Sequence, residues 1–170
     1  MVRKYVNWFK FFQATTFVSN GTDFVELKTS GLSSSLSDHC LVVLTNDSDS
    51  STIDPDLMIF GGRIDGAITD RVFRLSNKNN STWADGPTMS RPRFSQKCGL
   101  IKKGNSFFPI IVGGIAGGNY SKSVDIFDLE KNMWTPGPEF PVEICCGNLV
   151  EDKSGGVYYV GGQSAGIVFY

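Results

Sequence analysis

The sequence predicts an all-β fold made of a repeating four-stranded unit, and three regularities carry that prediction. A double glycine follows an apolar run three times, with its first glycine at positions 61, 113 and 161. A tryptophan followed shortly by Gly-Pro occurs twice, and the two tryptophans lie 51 residues apart. Short runs rich in β-branched and aromatic residues alternate with turn-forming residues, which is typical of strands and not of helices. Several kinds of marker thus share a period of about fifty residues, which indicates a repeat architecture.

Each repeat divides into four short strands. Strand A contains a cysteine, strand B runs into the double glycine, strand C carries an aromatic residue and strand D carries the tryptophan. Four antiparallel strands in about fifty residues are the unit of a β-propeller blade. The markers to which we assign purely structural roles are Gly61, Gly62, Gly113, Gly114, Gly161, Gly162, Phe73, Phe127, Trp83 and Trp134.

This pattern predicts two complete four-stranded blades, partial blades at each end, and a ring that these strands leave open. Residues 16–19 and 24–27 fit strands C and D of the first partial blade, and residues 167–170 fit strand C of the last. The predicted segments are 1–12, a partial strand or truncated start; 13–35, the end of a partial blade; 36–90 and 91–141, two blades; and 142–170, a partial blade.

The four cysteines follow the same repeat. Cys40, Cys98 and Cys146 each lie in or beside a short apolar run before a double glycine, and Cys145 adjoins Cys146. We interpret them first as small buried residues at a repeated packing position. Disulfides or reactive thiols remain open as alternatives. No Cys-x-x-Cys pair occurs, so neither a zinc site nor a thioredoxin-like redox motif is indicated.

At these markers the sequence resembles the kelch-repeat family, in which a double glycine follows strand B, an aromatic residue lies in strand C and a tryptophan in strand D. The resemblance covers roughly residues 17–170, although phenylalanine stands where the family usually has tyrosine. It implies a kelch-type β-propeller, a fold that usually closes with six or seven blades. A full ring would therefore need missing blades from a longer chain, or a second copy in a homodimer.

Composition excludes several classes of function. The net charge is −1, so no basic surface for nucleic acid is indicated. No run is long and apolar enough to predict a membrane span. The single histidine, His39, is too few for a site that needs several histidine ligands. We predict no metal site and no cofactor.

The family resemblance implies a non-enzymatic protein–protein interaction scaffold that presents its B–C and D–A loops to a partner protein. The alternative is a propeller fragment of a carbohydrate-binding or sugar-modifying enzyme, in which arginines and carboxylates would hold an anionic sugar. The sequence brings together no acid–base pair, so no catalytic residue is predicted. Polar and cationic side chains of the loops are the candidate partner-binding residues: Arg63, Asp65, Arg91, Arg93, Asn119, Tyr120 and Gln163.

Five asparagines match the acceptor pattern for N-linked glycosylation, Asn-x-Ser/Thr, and all lie in predicted loops. The pattern favours a secreted chain or an ectodomain. Surface turns rich in serine and asparagine would produce the same matches in a cytoplasmic protein, so the sequence leaves both compartments open. The acceptors are Asn20, Asn46, Asn79, Asn80 and Asn119.

Overall fold

The computed structural model describes residues 16–19, 23–27, 30–32, 34–44, 56–76, 82–152, 154–165 and 167–169. Every regular element in these ranges is a β-strand. The chain enters through an antiparallel pair, β1 (Thr16–Ser19) and β2 (Phe24–Leu27). This pair lies where strands C and D of the first partial blade were expected. The predicted segment 1–12 falls outside the described residues.

The first complete blade is a four-stranded antiparallel sheet whose strands follow the order predicted for A, B, C and D. A two-stranded hairpin occupies the connection between strands B and C, and a short strand that enters the blade pairs with it. The bounds are β3 (Leu36–Ser37), β4 (Cys40–Leu44, strand A), β5 (Asp56–Phe60, strand B), β6 (Arg63–Ile64) and β7 (Ala67–Ile68) for the hairpin, β8 (Val72–Ser76, strand C) and β9 (Thr82–Gly86, strand D).

The second complete blade repeats this arrangement. Its four strands form one antiparallel sheet, and a hairpin again joins strands B and C. The bounds are β10 (Lys97–Lys103, strand A), β11 (Ser106–Val112, strand B), β12 (Ile115–Ala116) and β13 (Asn119–Tyr120) for the hairpin, β14 (Val124–Asp128, strand C) and β15 (Met133–Pro136, strand D). The two four-stranded blades expected from the sequence are therefore confirmed.

The last partial blade differs from the prediction at one strand. Strands A and B are present as β16 (Asn148–Glu151) and β17 (Val157–Val160), which pair with each other. The final strand, β19 (Ile167–Phe169), pairs with β18 (Gly162–Ser164) and not with strand B.

The assignment of residues 167–170 to strand C was therefore wrong. Ile167 lies five residues after the second glycine of its pair, as Ala67 and Asn119 do in the earlier repeats, and both of those belong to the B–C hairpin. In the two complete blades strand C starts ten residues after that glycine, at Val72 and Val124.

The core consists of apolar layers between consecutive sheets. Successive residues of a strand point to opposite faces, so each blade contributes to the layer before it and to the layer after it. The layer between the two complete blades is the largest, and its buried residues are Cys40, Val42, Met58, Phe60, Val72, Met89, Leu100, Ile111 and Phe127. The layer between the second blade and the last partial blade is built on Ile110, Val112, Val124 and Ile126.

Trp134, the tryptophan of the second blade, packs against the layer between the two complete blades. Its ring packs edge-on against Phe60 of the previous blade, with centroids 5.7 Å apart. The Trp134 indole N–H donates a hydrogen bond to the carbonyl oxygen of Pro87 at 2.9 Å. The Gly-Pro that follows Trp83 therefore has a partner in the next repeat, because Pro87 supplies the acceptor for Trp134.

The aromatic residues of strand C are not at equivalent positions. Phe127 lies opposite Trp134, whereas Leu75 and not Phe73 lies opposite Trp83. Phe73 instead occupies the position equivalent to Asp125 of the second blade. Asp125 lies two residues before Phe127, on the same face of strand C. Both phenylalanines are nevertheless buried.

The double glycine lies where the segments that enter and leave a blade meet. The backbone N–H of Gly62 donates to the carbonyl of Arg93 in the segment that leads to the next blade. On its other side, a β-carbon on Gly62 would collide with the Ser37 carbonyl in the segment that enters its own blade. Gly62 also has a φ of 87°, which favours glycine. Space and backbone conformation therefore both require glycine here.

Two of the cysteines form a disulfide because their registers differ by one residue. Cys40 lies opposite Phe60, whereas Cys98 lies opposite Ile111, one position further along the repeat. A shift of one residue turns a side chain to the opposite face of a sheet. Cys40 therefore faces the second blade, Cys98 faces the first, and the two form a disulfide between neighbouring A strands.

This pairing overturns the favoured interpretation that the cysteines occupy one repeated packing position. Cys146 departs from that interpretation too, because strand A of the last blade begins only at Asn148. Cys146 has a φ of 67° in the preceding loop and is bonded to the adjacent Cys145. Cys145 is fully buried, whereas Cys146 is exposed.

Both ends of the stack expose apolar side chains at positions that are buried inside it. Tyr158 and Val160 of β17 are 61% and 53% exposed, and their counterparts in the second blade, Ile110 and Val112, are buried. At the other end Leu41 and Val43 of β4 are exposed, whereas Leu100, the counterpart of Val43 in the second blade, is buried. These side chains occupy positions that face a neighbouring blade inside the stack. No sheet covers them in the described part of the chain.

Candidate functional site

The B–C hairpins and the D–A segments lie side by side at one end of the blades. This follows from the antiparallel order, in which strand B ends, strand C begins, strand D ends and strand A begins at the same edge. Backbone contacts join the two kinds of segment. Phe94 of a D–A segment exchanges hydrogen bonds with Ile115 at 3.1 and 2.8 Å, and Cys145 exchanges them with Gln163 at 3.0 and 2.9 Å. We call this surface the loop face.

Arg63 joins three segments of the loop face. Its Nε lies 3.3 Å from a carboxylate oxygen of Asp38, and its guanidinium lies over the ring of Phe94, 3.9 Å from the centroid. It also donates to the Gly66 carbonyl at 3.2 Å. The side chain remains about one third exposed, so Arg63 both anchors the loops and presents part of its charge to solvent.

Asp65 fastens the tip of the first hairpin to the segment that enters the blade. Its carboxylate accepts hydrogen bonds from the backbone N–H of Ser35 at 3.1 Å and from the Ser35 hydroxyl at 3.0 Å. The backbone N–H of Asp65 donates in return to the Ser35 carbonyl at 3.0 Å. These bonds to Ser35 lower the pKa of the Asp65 carboxyl, because they stabilise its charged form.

Acid should therefore loosen this contact. A carboxyl whose pKa is lowered on folding contributes stability above its unfolded pKa, and that stability is lost as the pH falls through the folded pKa. We expect Ser35→Ala to raise the pKa of Asp65 towards the ordinary aspartate range, because it removes one donor. Carboxyl titration by NMR measures this. An unchanged Asp65 pKa in the variant would show that the hydroxyl contact does not form in solution.

Arg93 is not on the surface of the loop face, contrary to the prediction. It is 0% exposed, and its guanidinium forms an ion pair with the buried carboxylate of Asp125 in strand C of the second blade. It also donates to the Ser123 hydroxyl at 3.0 Å. Proline fixes only the backbone φ of residue 92, and the side chain of Arg93 turns inward to this carboxylate. Arg93 is therefore a structural residue.

Burial lowers the pKa of the Arg93 guanidinium to about 10, and the nearby charge of Arg91 acts in the same direction. The group still carries its proton at neutral pH. The buried network holds a further hydrogen bond, from the Ser90 hydroxyl to Asp125 at 2.9 Å. Gln96, also buried, donates from its amide to the Phe60 carbonyl at 2.6 Å. The D–A segment before the second blade is thus fixed by buried polar contacts.

Sequence reasoning missed Asp125, Ser90, Ser123 and Gln96. One signal was present: Asp125 interrupts the otherwise apolar run Val124-Asp125-Ile126-Phe127 of a strand predicted to be buried. A carboxylate at such a position requires a partner. The partner could not be identified from the sequence, because it lies 32 residues away in a segment that the pattern placed on the surface.

The other candidate residues lie on the loop face with their side chains at least partly in solvent. Arg91, Asn119 and Gln163 are exposed, and Tyr120 is half-buried in the second hairpin. Arg91 belongs to the junction of the two complete blades, Asn119 to the hairpin of the second blade and Gln163 to the last partial blade. They are spread along the loop face and form no compact cluster. Asn20, Asn46, Asn79 and Asn80 lie outside the described residues.

The described residues contain no group of three or more histidine, cysteine, aspartate or glutamate residues placed to hold a metal ion. The same described ranges contain no helix with the length and apolar character needed to cross a membrane.

Comparisons with known proteins agree with the repeat. A family model described as the Kelch motif matches residues 110–141. An F-box/kelch-repeat protein of Arabidopsis thaliana is 30% identical over 94 residues, which cover 55% of this chain and 22% of that protein. The chain therefore spans about a fifth of the length of this relative.

A solved structure is similar in fold. The structure of YjhT aligns with a TM-score of 0.60 and 16% sequence identity, over 79% of this chain and 41% of that one. At this identity the likeness concerns the fold alone. The repeated double glycines, the two four-stranded sheets and the matched motif together support the resemblance to the kelch-repeat family, and the fold is a kelch-type β-propeller whose described sheets do not close into a ring.

Proposed function

We propose that the chain is a non-enzymatic protein-interaction scaffold that binds a partner protein through the loop face. One observation carries this proposal: the loops are held rigidly by their backbones and by buried side chains, while other polar side chains point outward. Phe94 and Ile115 fix the hairpin of the second blade to the D–A segment through paired backbone hydrogen bonds. Loops that are ordered before binding lose less conformational entropy when a partner docks.

Arg91 is the side chain to which we assign the largest role in this contact. It is exposed at the junction of the two complete blades, and its neighbours Ser90 and Arg93 are fixed by the buried network around Asp125. A guanidinium can form paired hydrogen bonds with a carboxylate of the partner. Arg63 contributes a second, partly exposed positive charge on the same face. A partner segment with acidic side chains would suit these two arginines.

The name of the Arabidopsis relative combines an F-box with kelch repeats, which supports a protein-binding role for this chain. The sugar-enzyme alternative has less support from the geometry. It required several arginines free to hold an anionic sugar, and the charge of Arg93 is already balanced by Asp125 inside the fold.

The test compares two charge reversals at opposite ends of the same blade. Arg91→Glu lies on the loop face, and Lys103→Glu lies at the exposed turn between strands A and B, at the other end. In affinity capture from cells with quantitative mass spectrometry, we expect Arg91→Glu to lose a defined set of partners by at least about tenfold. Lys103→Glu should keep that set.

Equal losses in both variants, or losses in neither, would contradict the assignment to the loop face. Calorimetry with glucuronic and galacturonic acids examines the sugar alternative. Saturable binding of an acidic sugar to the wild-type chain, abolished by Arg91→Glu, would favour the sugar enzyme over the scaffold.

A further inference from the structure

The disulfide between Cys40 and Cys98 bears on the compartment in which the chain folds. It links the A strands of the two complete blades, with the two α-carbons 5.9 Å apart, inside the largest core layer. Disulfides of this structural kind form and persist in oxidising compartments, and they are rare where glutathione and thioredoxin keep thiols reduced. All four cysteines are bonded. The absence of free thiols among the four cysteines is typical of secreted proteins.

The hairpin of the second blade supplies an independent observation. Asn119 begins the acceptor sequence Asn119-Tyr120-Ser121, and its side chain is exposed. The turn before it consists of Gly117 and Gly118, and a β-carbon on either glycine would meet no atom within 4 Å. The space around the hairpin tip is thus open. A glycan on Asn119 would extend into solvent and would displace no part of the fold.

The acceptor serine is compatible with this arrangement. Ser121 is buried, and its hydroxyl lies 2.8 Å from that of Ser123. An acceptor sequence is normally modified while the chain is still extended, so the hydroxyl needs to be accessible only before folding. In the folded protein only the asparagine has to face solvent.

We propose that the chain matures in the secretory pathway, with an N-linked glycan on Asn119 and the disulfide Cys40–Cys98 formed in the same compartment. This inference goes beyond the proposed function. It also shapes that function, because a glycan on the second hairpin would cover the loop face beside it. A partner would then approach from the side of the first blade, where Arg63 and Arg91 lie.

The first experiment expresses the full chain behind a cleavable signal sequence in mammalian cells and maps its peptides by mass spectrometry. We expect the folded, secreted chain to carry a glycan at Asn119 that Asn119→Gln removes. Ser121→Thr keeps the acceptor sequence and should keep the glycan. Asn105→Gln changes an exposed turn asparagine that lacks the acceptor pattern, and it should leave the glycan on Asn119 unchanged. A secreted, folded chain with Asn119 unmodified would overturn the proposal.

The second experiment measures the disulfide. Non-reducing peptide maps of the secreted chain should contain Cys40 and Cys98 joined, and reductant should lower its melting temperature. Cys145→Ser combined with Cys146→Ser should leave the joined peptide and most of the reductant effect in place. If the chain produced in the cytosol, with Cys40 and Cys98 free, melts at the same temperature as the secreted chain, the proposed compartment is wrong.

Discussion

Replacing Asp125 with alanine is expected to lower the free energy of unfolding by about 3–5 kcal/mol. The change would leave the guanidinium of Arg93 buried and unpaired, and removal of one partner of a buried ion pair typically costs this much. Ser90 and Ser123 would keep some hydrogen bonds to Arg93, but neither supplies a negative charge. Urea unfolding followed by tryptophan fluorescence measures the difference.

A control aspartate exists in the first blade. Asp85 forms an ion pair with Arg71 at 2.7 Å, but its side chain is 66% exposed. Exposed pairs contribute little, so Asp85→Ala should cost less than about 1 kcal/mol. The double variant Arg93→Met with Asp125→Leu should recover much of the stability lost in Asp125→Ala, because no charge remains buried. Equal costs for the two aspartates would mean that Arg93 is not buried in solution.

Replacing Gly62 with alanine is the second change with a large expected effect. At a φ of 87° an alanine is strained, and its β-carbon would collide with the Ser37 carbonyl and lie 2.6 Å from the His39 backbone nitrogen. The obstacles are backbone atoms that hold the segment entering the first blade, so they cannot move cheaply. We expect a loss of about 3 kcal/mol or more in the free energy of unfolding, measured by urea denaturation.

Gly66→Ala separates the strain of a positive φ from the collision of the β-carbon with neighbouring backbone atoms. Gly66 has nearly the same φ, 85°, but a β-carbon there would meet no atom within 4 Å. This variant should therefore show the conformational strain alone, about 1–2 kcal/mol. If Gly62→Ala costs no more than Gly66→Ala, the close approach of the entering segment is not important for stability.

Much of the fold could be predicted because its signals are local. Double glycines, tryptophans and short β-rich runs each lie within a few residues, and their period identifies the blade without any knowledge of pairing. The order of strands A to D and the location of the B–C and D–A loops on one face follow from that repeat. Gly62 and Trp134 could be recognised as markers of the repeat in advance for this reason.

The rest depends on register, which local sequence does not determine. Cys40 and Cys98 look equivalent in the sequence, yet a shift of one residue points them at each other across the layer. Arg93 lies in a polar, proline-containing segment that resembles a surface loop, and only the distant Asp125 turns it inward. Candidate binding residues are hard to select from sequence for the same reason, because exposure is set by partners elsewhere in the chain.

The exposed apolar faces at the two ends of the stack of blades are not equivalent, so the stack has two distinct ends. The face with Tyr158 and Val160 corresponds to the side of a blade that meets the next one, and the face with Leu41 and Val43 to the side that meets the previous one. The two faces are therefore different and complementary, and contact through them is heterologous. Further blades, or further copies of the chain, would join head to tail, in a geometry that either closes a ring or continues as an open helix.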